Sequence, residues 1–176
     1  MNTTALTSGS GILDPRDARY SGNVSVLVVG GGGCGLTAAL SAQQAGAEVL
    51  VLERDASTLG TTAMSTGLIP AAGTRLQRER GIEDSAEIFA ADIVRKTGGQ
   101  TDASIALALA EASAATVEWL IDDHAVPLSL VDSFLYPGHS VKRMHGTPNR
   151  TGSELMAALA AAAERRGIDV VTEALV

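Results

Sequence analysis

Short apolar runs rich in β-branched residues predict three strands, over residues 24–30, 48–53 and 168–171. Nearly continuous apolar runs of this length are typical of parallel strands that are buried on both faces. Between the first two runs, apolar residues step at helical spacing up to Gly46, which fits the C′ position of a helix. A strand, a tight turn, a helix and a second strand within about 30 residues predict a βαβ unit.

The middle of the chain predicts three helices. Residues 75–80 form a short one within an otherwise extended loop over 54–81, and a second begins near Asp84, with Glu87 in a capping pattern, and runs to about Lys96. Asp102 caps the third, which ends before Pro127. The apolar stripe predicted to face the core of this third helix consists of Ile105, Leu109, Ala112, Thr116 and Leu120.

The last predicted helix begins at a capping box formed by Thr151 and Glu154. It ends in Arg165 and Arg166, whose charges suit the helix dipole, followed by a C′ glycine at Gly167. The segment before it, residues 127–150, contains several Pro and Gly residues and is predicted to be irregular.

Composition narrows the class of protein. With 176 residues, of which 45% are hydrophobic, the chain can bury a core, and we divide it into a tail at 1–22 and part of one domain at 23–176. A net charge of −7 argues against binding to nucleic acid or anionic membranes. We expect a cytoplasmic protein without a membrane span, since no uninterrupted apolar run approaches about 20 residues and no secretory signal begins the chain.

A glycine-rich loop follows the first predicted strand and matches the pattern G-x-G-x-x-G. Gly30 permits a tight turn, Gly32 lets a pyrophosphate approach the backbone, and Gly35 lets the helix pack close to the strand. Gly33 and Cys34 complete the loop at the helix N-terminus, where unpaired N–H groups attract phosphates. The pattern therefore predicts a dinucleotide site, with a ligand-free glycine turn as the alternative.

An acidic residue lies where this site needs one. Glu53 is 23 residues beyond Gly30, at the end of the second strand, and can accept hydrogen bonds from a ribose. Its carboxylate disfavours an added 2′-phosphate, although neighbouring Arg54 weakens that exclusion. We interpret Cys34 as a small buried residue under the loop, the alternative being a thiol activated by the helix N-terminus.

The segment after Glu53 indicates which dinucleotide binds. It is a polar, glycine-rich loop, of the kind that a flavin needs for backbone contacts and hydrogen-bond donors. The residues predicted to meet the cofactor there are Thr61, Thr62, Ser65, Thr66 and Gly67.

On these motifs the chain resembles the FAD-binding flavoproteins of the fumarate reductase, succinate dehydrogenase and L-aspartate oxidase family, and more distantly the 3-ketosteroid dehydrogenases. The shared motifs are Val28 to Gly35, Glu53–Arg54, the loop at 60–67 and the stretch from Arg143 to Gly152. The chain departs from the family pattern at Leu68 and Pro70, where Gly and often Asn stand, and in the looser spacing between Arg143 and His145.

The resemblance implies the N-terminal part of an α/β, Rossmann-like FAD/NAD(P)-binding parallel sheet with helices, incomplete at its C-terminus. It implies FAD as cofactor, with the backbone of Val176 beside the adenine. It also implies hydride transfer at the flavin N5, to or from a dicarboxylate-like or enone substrate, with catalytic residues beyond position 176 and a possible electron-transfer partner. An NAD-linked dehydrogenase and a catalytically silent or truncated nucleotide-binding module are the alternatives.

Three polar residues of the stretch before the last helix are further candidates. His145 could face the flavin or the substrate, and Arg143 and Arg150 could meet carboxylates. The spacing of His, Asp, Glu and Cys predicts no metal site.

Overall fold

The structure is a computed structural model that describes Tyr20 and residues 22–176, so the predicted tail lies almost entirely outside the described residues. The elements in chain order are β1 (Val26–Val29), α1 (Gly33–Gln44), β2 (Val49–Leu52), α2 (Gly60–Ala63), β3 (Ile69–Pro70), α3 (Arg75–Glu79), α4 (Ala86–Lys96), α5 (Ala103–Asp122), β4 (Ser129–Leu130), β5 (Met144–Gly146), α6 (Gly152–Arg165) and β6 (Asp169–Val171).

The three predicted strands form one parallel sheet in the order β1-β2-β6. Val28 lies opposite Val51, which lies opposite Val170. Helix α1 ends at Ala45, and Gly46 follows with a φ of +89°, so the predicted C′ glycine and the βαβ unit are confirmed. Gly167, with a φ of +67°, ends α6 in the same way.

One face of this sheet packs against the main core. Val49 and Val51 are buried there against helices α1, α5 and α6. The largest of the other residues that fill this core are Leu36, Leu40, Val117, Leu120, Leu155, Met156 and Leu159.

The prediction that the first strand is buried on both faces is wrong. In β1, Leu27 and Val29 are 50% and 62% exposed, whereas Val26 and Val28 point toward the core. The described residues cover only one face of this edge strand, so its side chains alternate between core and solvent.

A second, antiparallel sheet was not predicted. Its order is β3-β5-β4, with Ile69 and Leu130 both opposite His145. Strands of two or three residues carry too few positions for a period of two to be visible in a sequence. This sheet joins the end of the predicted flavin loop to the stretch from Arg143 to Gly152.

The apolar stripe of α5 was predicted one residue out of phase. Ile105 and Leu109 are 67% and 54% exposed. The buried residues are Ala106, Ala110, Ser113, Val117 and Leu120. Small side chains let α5 lie close against Ala90 and Phe89 of α4, and this close packing decides which side of an alanine-rich helix faces inward.

Helix α5 also bears on the expectation that the chain lacks a membrane span. Among the described residues it is one helix whose length and apolar composition would suffice to cross a membrane. Its inner face belongs to the protein core, which explains an apolar composition equally well.

Two helix starts differ from prediction. Ser85, not Asp84, caps α4, because its side chain accepts the N–H of Ile88 while Asp84 is engaged by Arg143. Thr151 caps α6 as predicted by accepting the N–H of Glu154, but the Glu154 carboxylate binds Asn149 and so does not close the box. Asp102 caps α5 as predicted.

Candidate FAD-binding site

Two glycines of the loop between β1 and α1 are required by the fold itself. Gly30 has a φ of +100°, a conformation that L side chains rarely adopt. A Cβ on Gly35 would lie 1.8 Å from the carbonyl oxygen of Gly30, so only glycine lets α1 start this close to the end of β1. The conformational roles predicted for these two positions agree with the geometry.

Gly32 differs from both. Its φ of −73° and ψ of −174° suit any residue, and a Cβ there would meet no atom of the described chain within 4 Å. Gly32 is also the N-cap of α1, and no described side chain caps this helix. The open space above Gly32 and the N–H groups of the first turn therefore form a cradle for a negatively charged group.

Glu53 ties the end of β2 to this loop. It is 8% exposed, and its Oε2 accepts the N–H of Gly31 at 2.7 Å while its Oε1 accepts the N–H of Asp55 at 2.9 Å. The hydrogen bonds from Asp55 and then Gly31 lower the pKa of the Glu53 carboxyl below its usual range. The carboxylate is thus ionised and fixed at the position predicted for the ribose contact.

A cleft of about 360 Å³ opens beside Glu53, at the carboxyl ends of β1 and β2. Its size falls within the range of roughly 300–1,000 Å³ that small-molecule sites occupy. The residues that line it are Val29, Gly30, Leu52, Glu53, Arg54, Ala174, Leu175 and Val176. The N–H of Ala174 donates to the carbonyl of Glu53 at 2.9 Å, which brings the segment that carries Val176 to this edge of the sheet.

The structure brings Arg54 and Val176 to the mouth of the same cleft. The Arg54 side chain is 73% exposed and pairs with Asp55 at 3.3 Å, and Val176 is 76% exposed. Both lie where the sequence predicts the adenosine half of the cofactor, and their contacts with it stay predictions.

The predicted flavin loop lies next to the glycine loop. Thr61 and Thr62 are in the short helix α2, and a Cβ on Gly33 would lie 2.9 Å from the Thr62 hydroxyl oxygen. Ser65 and Thr66 follow on the exposed side. A cofactor that lies along Gly32 therefore also reaches this loop.

The flavin loop also contacts the start of α6. Gly67 has a φ of +62°, and a Cβ there would lie 2.6 Å from the carbonyl oxygen of Thr151. The N–H of Gly152 donates to the carbonyl of Ser65 at 2.8 Å. Two motifs that are more than 80 residues apart in the sequence, around Gly67 and Thr151, are thus in direct backbone contact.

The interpretation of Cys34 as a buried residue is wrong, because its side chain is exposed. Leu36, Ala39 and Leu40 face the core, and Cys34 lies on the opposite side of α1.

Arg143 and His145 lie away from the cofactor cradle. Arg143 is fully buried, with Nε and Nη2 each 2.9 Å from the Asp84 carboxylate and Nη1 bonded to Asp92. His145 is also fully buried, and its Nε2 lies 3.0 Å from the Thr74 hydroxyl. Arg143 therefore meets carboxylates of its own chain, and a direct contact of His145 with flavin or substrate is excluded in this arrangement.

The cluster of Arg143, Asp84 and Asp92 was missed by the sequence reasoning. Burial raises the pKa of Asp92, but hydrogen bonds from Ser140 and Arg143 outweigh it and lower that pKa well below the usual range. Asp84 and Asp92 are 59 and 51 residues from Arg143 in sequence, so no local pattern signals the contact. Among the described residues, His, Cys, Asp and Glu form no group of three or more that is arranged to hold a metal.

Comparison with known proteins identifies the site. Residues 25–176 match the family model of the FAD binding domain. The probable fumarate reductase Ifc3 of Shewanella frigidimarina is 34% identical over 151 residues, which are 85% of this chain and 25% of that protein. The chain thus spans about a quarter of that relative's length.

Solved structures show the same fold. The open conformation of a flavocytochrome c3 fumarate reductase superposes with a TM-score of 0.77 at 34% identity, over 85% of this chain and 26% of that one. The 3-ketosteroid-Δ4-(5α)-dehydrogenase of Rhodococcus jostii RHA1, in complex with 4-androstene-3,17-dione, superposes with a TM-score of 0.72 at 26% identity, over 89% of this chain and 39% of that one.

These matches confirm the predicted resemblance, the partial α/β fold and FAD as cofactor, in place of the NAD alternative. The chain belongs to the FAD-binding domain family of flavoproteins, which includes fumarate reductases.

Proposed function

We propose that this chain is the nucleotide-binding part of an FAD-dependent oxidoreductase of the fumarate reductase type. Its substrate carries a reducible or oxidisable carbon–carbon bond next to a carbonyl or carboxylate group. The family match supports this proposal, and the single structural observation that carries it is the cradle at Gly32, which the fold leaves open and which a pyrophosphate would fill.

The chain's own residues would act by binding and orienting the cofactor. The first turn of α1 would donate N–H groups to the pyrophosphate, and Glu53 would accept hydrogen bonds from the ribose. The polar loop at 60–67 would lie along the flavin side of the cofactor. When bound, FAD supplies the exchange of a hydride with the substrate, and the protein supplies position and electrostatics.

A matched pair of glycine substitutions tests the site. We expect Gly32→Val to abolish retention of FAD, because the side chain fills the cradle, while the free energy of unfolding changes by no more than about 1 kcal/mol. We expect Gly35→Ala to destabilise the fold itself, since its Cβ overlaps the Gly30 carbonyl. The flavin absorbance of the purified protein and urea unfolding check both variants.

Full flavin occupancy in Gly32→Val would remove the pyrophosphate from this loop and with it the proposed function. A Gly32→Val protein that loses FAD only because it unfolds is recognised from the urea curve, which for Gly35→Ala is expected to shift and for Gly32→Val is not.

We also propose that the protein receives or delivers electrons through a partner and acts in the cytoplasm. The single cysteine and the net charge of −7 support this location. Fractionation of cells that express the complete reading frame tests it, since recovery from the membrane or periplasmic fraction contradicts it.

A further inference from the structure

The loop after β4 presents an exposed apolar tip, formed by Phe134, Leu135 and Tyr136. Their side chains are 38%, 48% and 40% exposed, although three consecutive large apolar residues would normally be buried. The rings of Phe134 and Tyr136 lie 6.3 Å apart, so they form one surface.

The base of this tip is fixed to the protein interior. The carbonyl of Gly138 accepts a hydrogen bond from Arg95 at 3.0 Å, and the N–H of Ser140 donates to the buried Asp92 at 2.8 Å. The ring of Tyr136 lies 5.5 Å from that of His139, which lies 5.8 Å from the buried Phe89. The apolar tip is therefore held in place by packing and hydrogen bonds at its base.

A continuous series of contacts connects the apolar tip to the flavin loop. Ser133, directly before the tip, lies 3.4 Å from the guanidinium of Arg150. Arg150 precedes Thr151, whose carbonyl lies against Gly67. The tip, Arg150 and the flavin loop thus border one another on the same side of the second sheet.

Arg150 itself is in an unusual state. Its φ is +53°, a conformation that costs energy in a residue with a side chain, and strain of this kind is concentrated at functional sites. It is exposed, and among the described residues no carboxylate lies within 4 Å of its guanidinium. A cation without a partner is therefore placed beside two aromatic rings and next to the loop predicted to hold the flavin.

We propose that the apolar tip and Arg150 form a substrate-selecting wall of the flavin site, suited to an unsaturated monocarboxylate with a flat apolar body, such as an aryl-substituted acrylate. This inference rests on the proposed function. The rings cover the apolar body of the substrate, and Arg150 binds its carboxylate by a charge-assisted hydrogen bond. A small dicarboxylate offers the rings nothing to cover.

Binding of cinnamate and of fumarate to the FAD-loaded protein from the complete reading frame tests this assignment. Perturbation of the flavin spectrum reports each Kd, and steady-state reduction with a viologen dye reports KM and kcat. We expect cinnamate to bind at least about tenfold more tightly than fumarate, a difference of the size that burial of one aromatic ring supplies.

Three variants separate the parts of the wall. The double substitution Phe134→Ala with Tyr136→Ala should raise Kd for cinnamate about tenfold and leave that for fumarate within about twofold. Arg150→Gln should weaken both ligands, and Arg150→Lys should restore part of the loss. Leu109→Ala, which removes a similarly exposed apolar side chain from α5, is the control and should change neither Kd.

Tighter binding of fumarate than of cinnamate, or an equal effect of the tip substitutions on both ligands, would overturn the inference. Flavin content is measured first in every variant. A colourless wild-type protein refutes the proposed function and this inference with it, whereas a yellow protein whose ligand binding ignores the tip refutes this inference alone.

Discussion

At the scale of single residues, one charged side chain supports both the fold and the site. Glu53 holds the N–H groups of Gly31 and Asp55 through its two carboxylate oxygens and keeps the glycine loop against the end of β2. Its position after the second strand could be read from the sequence. Its role in shaping the loop could not, because that role depends on the turn at Asp55.

The substitution Glu53→Gln tests this double role. At pH 7 we expect it to lower the free energy of unfolding by about 1–3 kcal/mol, the usual scale for hydrogen bonds to a charged group, and to weaken FAD binding. Because the pKa of Glu53 is lowered in the folded protein, its contribution is present above about pH 4.3 and is lost as the pH falls through the folded pKa.

Urea unfolding at pH 7 and pH 3 measures both quantities. The difference between wild type and variant should shrink at pH 3, where the wild-type carboxyl is protonated. A difference that is the same at both pH values would show that the charge of Glu53 contributes nothing and that only its shape matters.

The buried ion cluster makes a second residue-scale prediction. Replacing Arg143 by Met leaves two carboxylates buried without a cation, which costs about 3–5 kcal/mol of folding stability. The control is Arg75→Met, which removes a bidentate but largely exposed pair with Asp122 and should cost at most about 1 kcal/mol. Thermal unfolding compares the two, and equal losses would contradict the burial argument.

At the scale of elements, the ends of helices α1, α5 and α6 meet around one histidine. His124 follows α5 and is 2% exposed, its ring lies 4.3 Å from that of Trp119, and its carbonyl accepts a hydrogen bond from Arg165. Trp119 in turn donates to Gln44 at the end of α1. Burial, and then the charge of Arg166, lower the pKa of His124, so the neutral imidazole is favoured in the folded state.

We therefore expect the protein to lose stability in mild acid. A histidine with a lowered folded pKa contributes its full stability above its unfolded pKa of about 6.5, and this contribution falls as the pH decreases below that value. At pH 5.5 the loss for His124 is about 1.4 kcal/mol if the folded ring stays neutral. The same direction holds for His139 and His145, whose pKa values burial also lowers.

The variant His124→Phe isolates this contribution, because phenylalanine keeps a ring against Trp119 and does not titrate. The drop in Tm between pH 7.5 and pH 5.5 should be smaller in the variant than in the wild type by about 3–5 °C, the shift that 1.4 kcal/mol produces in a chain of this size. An identical drop in both proteins would place the pH dependence elsewhere.

The elements also show which parts of a sequence specify a structure. The capping residues Asp102 and Thr151 and the C′ glycine Gly46 act within one turn, so their spacing along the chain was sufficient to predict them. The phase of α5 was not, because alanine occurs on every side of this helix and the packing against α4 selects the inner face. The short strands β3, β4 and β5 depend on one another across about 75 residues, and no local pattern records that pairing.

At the scale of the whole molecule, the parallel sheet has two different faces. One is covered by helices α1 and α6, while on the other Leu27, Val29 and Val171 are 50%, 62% and 46% exposed among the described residues. The register places Val29, Leu52 and Val171 side by side, so these side chains form one continuous apolar row. The relatives in which the same domain occurs are about four times longer than this chain.

This open sheet face makes a prediction for the 176-residue chain studied on its own. Contiguous exposed apolar surface binds hydrophobic dyes and promotes association, so we expect the chain to bind such a dye and to self-associate at high concentration. Replacing Leu27 and Val29 by Thr keeps the strand propensity while making the face polar. Dye fluorescence should fall by at least about half, and sedimentation should shift toward the monomer. Because both side chains are largely outside the core, the free energy of unfolding should change by less than about 0.5 kcal/mol for each substitution. Unchanged dye binding in the double variant, with Ile105 and Leu109 of α5 still exposed, would assign the exposed apolar surface that matters to that helix instead of the sheet.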